Sequence, residues 1–311
     1  MAQNQKSLAR SVEVQGVGLH SGKRVRLRVL PSGADSGIVF VRRDAGNSPI
    51  PASHRLLNGG NLSTTLSRGS VFVATVEHLL SALHGMSIDN ARIEIDGPEI
   101  PILDGSSLPF VQMFREAGLR SLGKARRFLT LTRPVRVKAG EKEILALPDN
   151  LFQATYAIDF PHTVIGAQTV SIEVSEETYD DSIAPARTFC LLRDVEAMRR
   201  SGLGLGGSLD NALVVGDDGV LNGSLRFPDE FARHKVLDLV GDLALLGAPI
   251  RAHVIAFKGG HRLHAALVAK IMSNRSAWSL GTSDDRLPAE RLAEFAHLKD
   301  SLLPHPAGLT L

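Results

Sequence analysis

One cysteine, one tryptophan and two tyrosines in 311 residues leave several kinds of protein out of reach. A lone Cys190 cannot build an internal disulfide framework and suits a reducing compartment. Aromatics amount to 5% and no dense Lys/Arg runs interleave with them, so the stacking surface of a single-strand nucleic-acid binder is missing. Neither sign of charge dominates: 35 Lys and Arg face 33 Asp and Glu, and the formal net charge of +2 is too mild to argue for a polyanionic partner. No stretch approaches about 18 uninterrupted apolar residues, so no transmembrane helix is expected. The N-terminal MAQNQKSLARSVEVQ lacks the apolar core of a signal peptide. The expectation is a cytoplasmic protein, most simply a monomer, with no nucleic-acid partner and with peripheral membrane association left open.

What remains is ordinary globular material, 43% hydrophobic and 22% charged, long enough for one large or two ordinary domains. The two halves share a grammar. Val12–Val14, Val25–Val29 and Ile38–Phe40 alternate like half-buried strands, a strand-rich run follows at 69–76, and a helix begins near Thr75, a residue type that can cap it. Val76, Leu79, Leu80 and Leu83 give that helix an apolar stripe. Ala91–Ile95 alternates again and a helix over 107–118 closes the half. Gly123–Arg127 is a charged connector and the preferred boundary. Strand patterns restart at 129–158, then helices are expected at 189–201, 229–246 and 263–272, with 252–257 a buried strand. Leu292, Phe295, Leu298 and Leu302 suit a surface helix. Strands with few helices in each half indicate an α+β fold of two domains, 1–125 and 126–311, each a sheet backed by helices.

The most informative segment is FARHKVLDLVGDLALLG at 231–247. On a helix, His234, Asp238 and Asp242 form one ladder with rungs about 40° apart, and Lys235 sits at its edge. Nearly everything else there is apolar, which marks a buried helix, and buried His and Asp need a partner. A divalent metal is one partner; the wetted face of an amphipathic helix is the bland alternative. Glu77-His78 on the polar side of the earlier helix pairs a metal ligand type with a carboxylate that a helix N-terminus would keep ionised. His84, on the face of Glu77, reads as structural. Lys258-Gly-Gly-His261 leaves the strand 252–257 as a loop, with His261 a candidate acid and Lys258 a candidate anion partner. Gly202–Gly207 matches G-x-G-x-x-G in form but follows a helical pattern, so it is no dinucleotide fingerprint. Gly18–Lys23 likewise lacks the Walker spacing.

Long motifs then place the chain. GVGLHSGK (16–23), LSTTL (62–66), TVEHLLSALHG (75–85), IDNARIEIDGPEIPILDGSSLPF (88–110), IDFPH (158–162), ARTFC (186–190), GLGLGGSLDNALV (202–214), RHKVLDLVGDLALLG (233–247) and KGGH (258–261) run almost end to end. In this order they resemble the UDP-3-O-acyl-N-acetylglucosamine deacetylases of lipid A synthesis. The looser LNGGN at 57–61, and Gly260 and His264, depart from what some members carry.

The resemblance implies two domains of like topology, packed helices inward as two-layer sandwiches with the site between them, and an insert in each near 40–60 and 160–205. It implies a zinc amidase with one Zn2+ per chain on His78, His234 and Asp238, the open three-ligand arrangement of catalytic zinc. Glu77 would be the general base, His261 a cationic acid, Asp242 its orienting partner and Thr188 a hydroxyl for the oxyanion. The implied substrate is a UDP-linked acylated amino sugar. Lys235 and Lys258 would meet its anionic head, and Asp159 and Phe160 its nucleoside end. A hydrophobic passage near 189–214 would take the acyl chain, with Phe189, Leu192, Val195 and Val214 as candidates. Two rivals stay open at this point: a zinc amidase of related fold acting on another N-acyl substrate, and a non-catalytic nucleotide-binding module.

Overall fold

The structure, a computed structural model, describes residues 3–58, 60 and 62–301, with the side chains of 300 and 301 left aside. Val25, Leu27 and Val29 point into the core while Arg24, Arg26 and Arg28 face out, which is the period-two pattern of a sheet wet on one side. That strand, Arg24–Pro31, sits in a five-stranded sheet of order Val12–Val17, Arg24–Pro31, Ala91–Ile95, Ile38–Arg42, Ser48–Pro51. All its pairings are antiparallel except Ile38–Arg42 with Ala91–Ile95. Helices α1 (Glu77–Gly85) and α2 (Leu108–Ala117) belong to this half, and Phe110, Val111 and Phe114 of α2 are buried.

The second half repeats the plan. A seven-stranded sheet centres on Ile250–Phe257, which lies between Lys142–Pro148 (antiparallel) and Phe152–Asp159 (parallel). Seven of its eight residues are buried, as a strand covered on both faces requires. Glu176–Thr178 (α3) is a single turn; Leu192–Arg200 (α4) joins the parallel strands Phe189–Leu191 and Leu213–Val215. Glu230–Leu243 (α5) and His261–Ser273 (α6) cover the inner face, and Ala289–Ala293 (α7) belongs to the tail. Every strand pairing among the described residues falls within 4–125 or within 128–281.

α1 and α5 meet between the two sheets. Ser81 Oγ donates to the Leu237 carbonyl at 2.8 Å, and Gly241 lets the two backbones touch. Each fully buried Leu, Ile or Val on these helices contributes roughly 1.5–3 kcal/mol. The helices therefore face inward and carry the chemistry with them.

Several local expectations need correction. Gly123–Ala125 is not a bare connector: Leu119–Ala125 pairs with Asn4–Leu8. The residue before α1 is Val76, and Thr75 caps nothing; its hydroxyl donates instead to Glu99 Oε1 at 2.9 Å. α5 ends at Leu243 and tightens into a 3-10 turn, Ala244–Leu246, stopped by Gly247 at φ 81°. The helix expected at 189–201 begins only at Leu192, after a strand. A small sheet of Leu57–Asn58, Thr65–Arg68 and Val71–Val73 also belongs to the first half. In the tail, Phe295 and Leu298 pack on Leu145, Leu147 and Ile255 at the outer sheet face, whereas Leu302 and part of 57–61 lie outside the described residues.

Candidate metal and acid–base centre

His78, next to the start of α1, meets His234 and Asp238 from the middle of α5. One ligand atom of each lies within 4.8 Å of the other two. His234 Nε2 is 3.4 Å and His78 Nε2 3.6 Å from Asp238 Oδ1, and the two rings meet edge to face at 5.1 Å. All three side chains are buried. Glu77 and His78, on the polar side of α1, are both buried, and α5 packs against this end of the helix through Gly241.

The donor set fits a divalent cation. His234 Nδ1 is 3.1 Å from the Ala186 carbonyl, which places the ring hydrogen there and leaves a lone pair on Nε2. Burial pushes the His234 imidazole down to about 3, so it is neutral at pH 7, as a ligand must be. Asp238 Oδ1 is buried with no hydrogen-bond partner. Despite burial, Asp238 is held well below the usual carboxylate range by Lys235, His234 and His261. Two imidazoles and a carboxylate at this spacing suit zinc chemistry.

Glu77 and His261 border the same space. Glu77 Oε2 accepts the Thr64 backbone N–H at 2.9 Å; Oε1 is 3.9 Å from His261 Nε2. Burial raises the Glu77 carboxyl to about 7, with Asp242 and Asp238 adding to the rise and His261 and His78 opposing it. The helix-terminus expectation of a readily ionised Glu77 is thus weakened, because desolvation outweighs the dipole and brings the group to titrate near neutral pH. His261 is the first residue of α6 rather than part of a loop. Burial would lower its imidazole, but Asp242, Asp238 and Glu77 raise it to about 10. Its Nδ1 is 2.8 Å from Asp242 Oδ2, and its Nε2 is 3.8 Å from Asp238 Oδ2.

Thr188, Phe189, Leu192, Val195 and Val214 line one cavity of about 350 Å³. Phe189 leans edge-on against Phe160 at 5.7 Å, and the Lys235 ammonium lies 5.5 Å from the Phe189 ring. Lys235 Nζ also bonds Asp238 Oδ2 at 2.8 Å. Lys258 and Asp159, expected at the anionic head and the adjoining nucleoside of a substrate, form an ion pair at 2.8 Å. The Gly-rich run is structural: a Cβ on Gly206 would lie 2.3 Å from the Gly18 carbonyl, so the glycines let this loop pack on residues 16–23.

Three participants carried no role in the sequence. Thr64, inside LSTTL, joins Glu77 through its N–H and Asp242 Oδ1 through its hydroxyl. Glu99 accepts His20 N at 2.9 Å, Ser21 N at 2.7 Å and the Thr75 hydroxyl, tying the 16–23 loop to the start of α1. His264 joins Asp242 from behind. Asp242, His261 and His264 also cluster, but both oxygens of the carboxylate are already engaged by the two rings and Thr64, which makes this a polar network.

A family model described as UDP-3-O-acyl N-acetylglycosamine deacetylase matches residues 5–273. A protein of Anaeromyxobacter sp. (strain Fw109-5) is 46% identical over 291 residues, covering 93% of this chain and 95% of its own length. One from Myxococcus xanthus is 45% identical over 279 residues, 89% of each chain. One from Nitratidesulfovibrio vulgaris is 46% identical over 277 residues, 88% of this chain and 90% of its own. All three are named UDP-3-O-acyl-N-acetylglucosamine deacetylase.

Proposed function

The chain belongs to the UDP-3-O-acyl N-acetylglycosamine deacetylase family, and from that membership we propose that it hydrolyses the acetamide of UDP-3-O-(3-hydroxyacyl)-N-acetylglucosamine, a step of lipid A biosynthesis, with one zinc ion per chain. The observation that carries this reading is the convergence of His78, His234 and Asp238 on one point flanked by Glu77 and His261.

His78, His234 and Asp238 would hold the ion. When bound, zinc supplies Lewis acidity, polarising the amide carbonyl and bringing water toward ionisation near neutral pH. Glu77, held at Oε2 by Thr64, uses Oε1 to take a proton from the attacking water. His261, kept cationic by Asp242, donates from Nε2 to the carbonyl oxygen as charge grows there, and then gives its proton to the departing amine. Acetate and the free amino sugar leave. Thr188 adds a hydroxyl beside the oxyanion.

Lys235 and Lys258 attract the diphosphate. The Lys258–Asp159 pair lies at the surface, where water screens it, so a phosphate oxygen replaces the carboxylate at little cost. Phe160 and Asp159 receive the nucleoside. The cavity behind Thr188 takes the acyl chain between Phe189, Leu192, Val195 and Val214. The same reading takes 1–125 and 126–311 as two domains, supported by the confinement of strand pairing to either side of that boundary. No helix among the described residues is long and apolar enough to cross a membrane.

The test is turnover of the UDP-linked substrate by purified protein, with a chelated sample and a zinc-restored one. Activity lost on chelation and recovered with zinc is expected. Equal turnover of a simple acetamide lacking the UDP head would replace this substrate assignment with a broader amidase.

A further inference from the structure

Behind His261 lies a second imidazole that the mechanism leaves idle. His264 follows one turn later on α6 and is fully buried. Its Nδ1 is 2.8 Å from Asp242 Oδ2, the oxygen that also takes His261 Nδ1 at 2.8 Å. Its Nε2 is 3.0 Å from the Tyr156 hydroxyl, and the two rings meet edge to face at 5.8 Å. Tyr156 is itself fully buried, and the turn leading into α6 approaches it closely: a Cβ on Gly259 would stand 2.5 Å from the hydroxyl oxygen.

Proton positions follow from this enclosure. Burial opposes the Asp242 charge, yet His261 and His264 bring its carboxyl down to about 2, so it only accepts. Burial lowers His264 and raises Tyr156, leaving one neutral and the other protonated. A neutral His264 must then carry its hydrogen on Nδ1, facing the carboxylate, and its Nε2 accepts the Tyr156 O–H. Asp242 thus receives Thr64 on Oδ1 and two imidazole N–H groups on Oδ2. A rotated carboxylate could not keep all three.

We infer that His264, buttressed by Tyr156, is a positioning residue for the deacetylation: it locks the Asp242 carboxylate in the orientation that holds His261 with Nε2 toward the reaction centre. The inference rests on the proposed role of His261. Partners of this second tier typically matter by about 10- to 100-fold.

The experiment compares His264→Leu, His264→Asn and His261→Ala in the metal-loaded enzyme, reading kcat, KM, metal content and the low-field imidazole N–H proton resonances. His264→Leu should lower kcat about 10- to 100-fold with KM and metal content little changed, and should shift or broaden the resonance of the His261–Asp242 bond. His264→Asn, which keeps an amide donor toward Asp242, should recover most of that loss. Wild-type kcat in His264→Leu, or equal losses in Leu and Asn, would overturn the positioning role. If His264→Leu does not fold, Tyr156→Phe replaces it: kcat lowered with KM unchanged supports the inference, and wild-type kcat overturns it. Wild-type turnover by His261→Ala would instead overturn the role of His261, a separate failure.

Discussion

Gly241 on α5 presses against the carbonyl of Glu77 on α1, so closely that a Cβ there would stand 2.1 Å from that oxygen. The contact is what brings His78, one residue after Glu77, opposite Asp238, three residues before Gly241.

Gly241→Ala is therefore expected to destabilise the protein by about 1–3 kcal/mol through overpacking, although the same change in an exposed helix stabilises by about 1 kcal/mol. A lower urea midpoint with unchanged slope would show it. A neutral or stabilising result would mean that α1 and α5 are not in backbone contact.

Metal binding and turnover should separate by residue. His78→Ala and Asp238→Ala are expected to lower bound zinc, measured by elemental analysis after dialysis. Glu77→Ala should keep the metal and lose about 10²- to 10⁴-fold in kcat, the usual worth of a general base. Near-normal turnover by Glu77→Ala would remove it from that role.

The rate should rise and then fall with pH. Glu77, raised to about 7 chiefly by burial, must be ionised, so activity drops as pH falls through that region. His261, raised to about 10 by the surrounding carboxylates against its burial, must be protonated, so activity drops on the alkaline side. His261→Ala is expected to depress the rate and abolish the alkaline limb. An unchanged limb would exclude it as the acid.

His84 gives a stability prediction away from the centre. Burial, with Arg126 adding, lowers its imidazole to about 3, while an unfolded chain has the ordinary value near 6.5. Between those values the unfolded state binds a proton that the folded state refuses. Stability should fall as pH drops through this window, by up to about 1.4 kcal/mol per unit. His84→Asn should flatten the dependence of urea midpoint on pH between about 6.5 and 4; an identical slope would contradict it.

Val214 lines the cavity behind Thr188. Val214→Phe is expected to lower kcat/KM for long acyl chains by about tenfold or more while sparing short ones, since overfilling a packed cavity costs about 1–3 kcal/mol. Uniform loss across an acyl series would place the chain elsewhere.

Much of this was legible before any coordinates. The His234–Asp238–Asp242 ladder needed only helical geometry and an apolar surround, and α5 bears it out to within a turn. Alternating Val25, Leu27 and Val29 fixed a strand for the same reason. Other features depend on what lies across the interface. Whether Glu77 and His78 face water or another helix cannot be read from α1 alone, and burial raised the Glu77 carboxyl toward neutral pH where the helix terminus alone would keep it low. Thr75 looked like a cap because its type caps; a carboxylate 24 residues on, Glu99, took the hydroxyl instead. Thr64 and His264 act through pairs separated by 178 and 22 residues, for which local periodicity carries no signal.

The donors come from both sides of the chain's midpoint: Glu77 and His78 from α1, His234, Asp238 and His261 from α5 and α6. Neither half alone carries a complete set. A split version of this polypeptide would thus have silent fragments, and regained hydrolysis on mixing them would report reassembly directly.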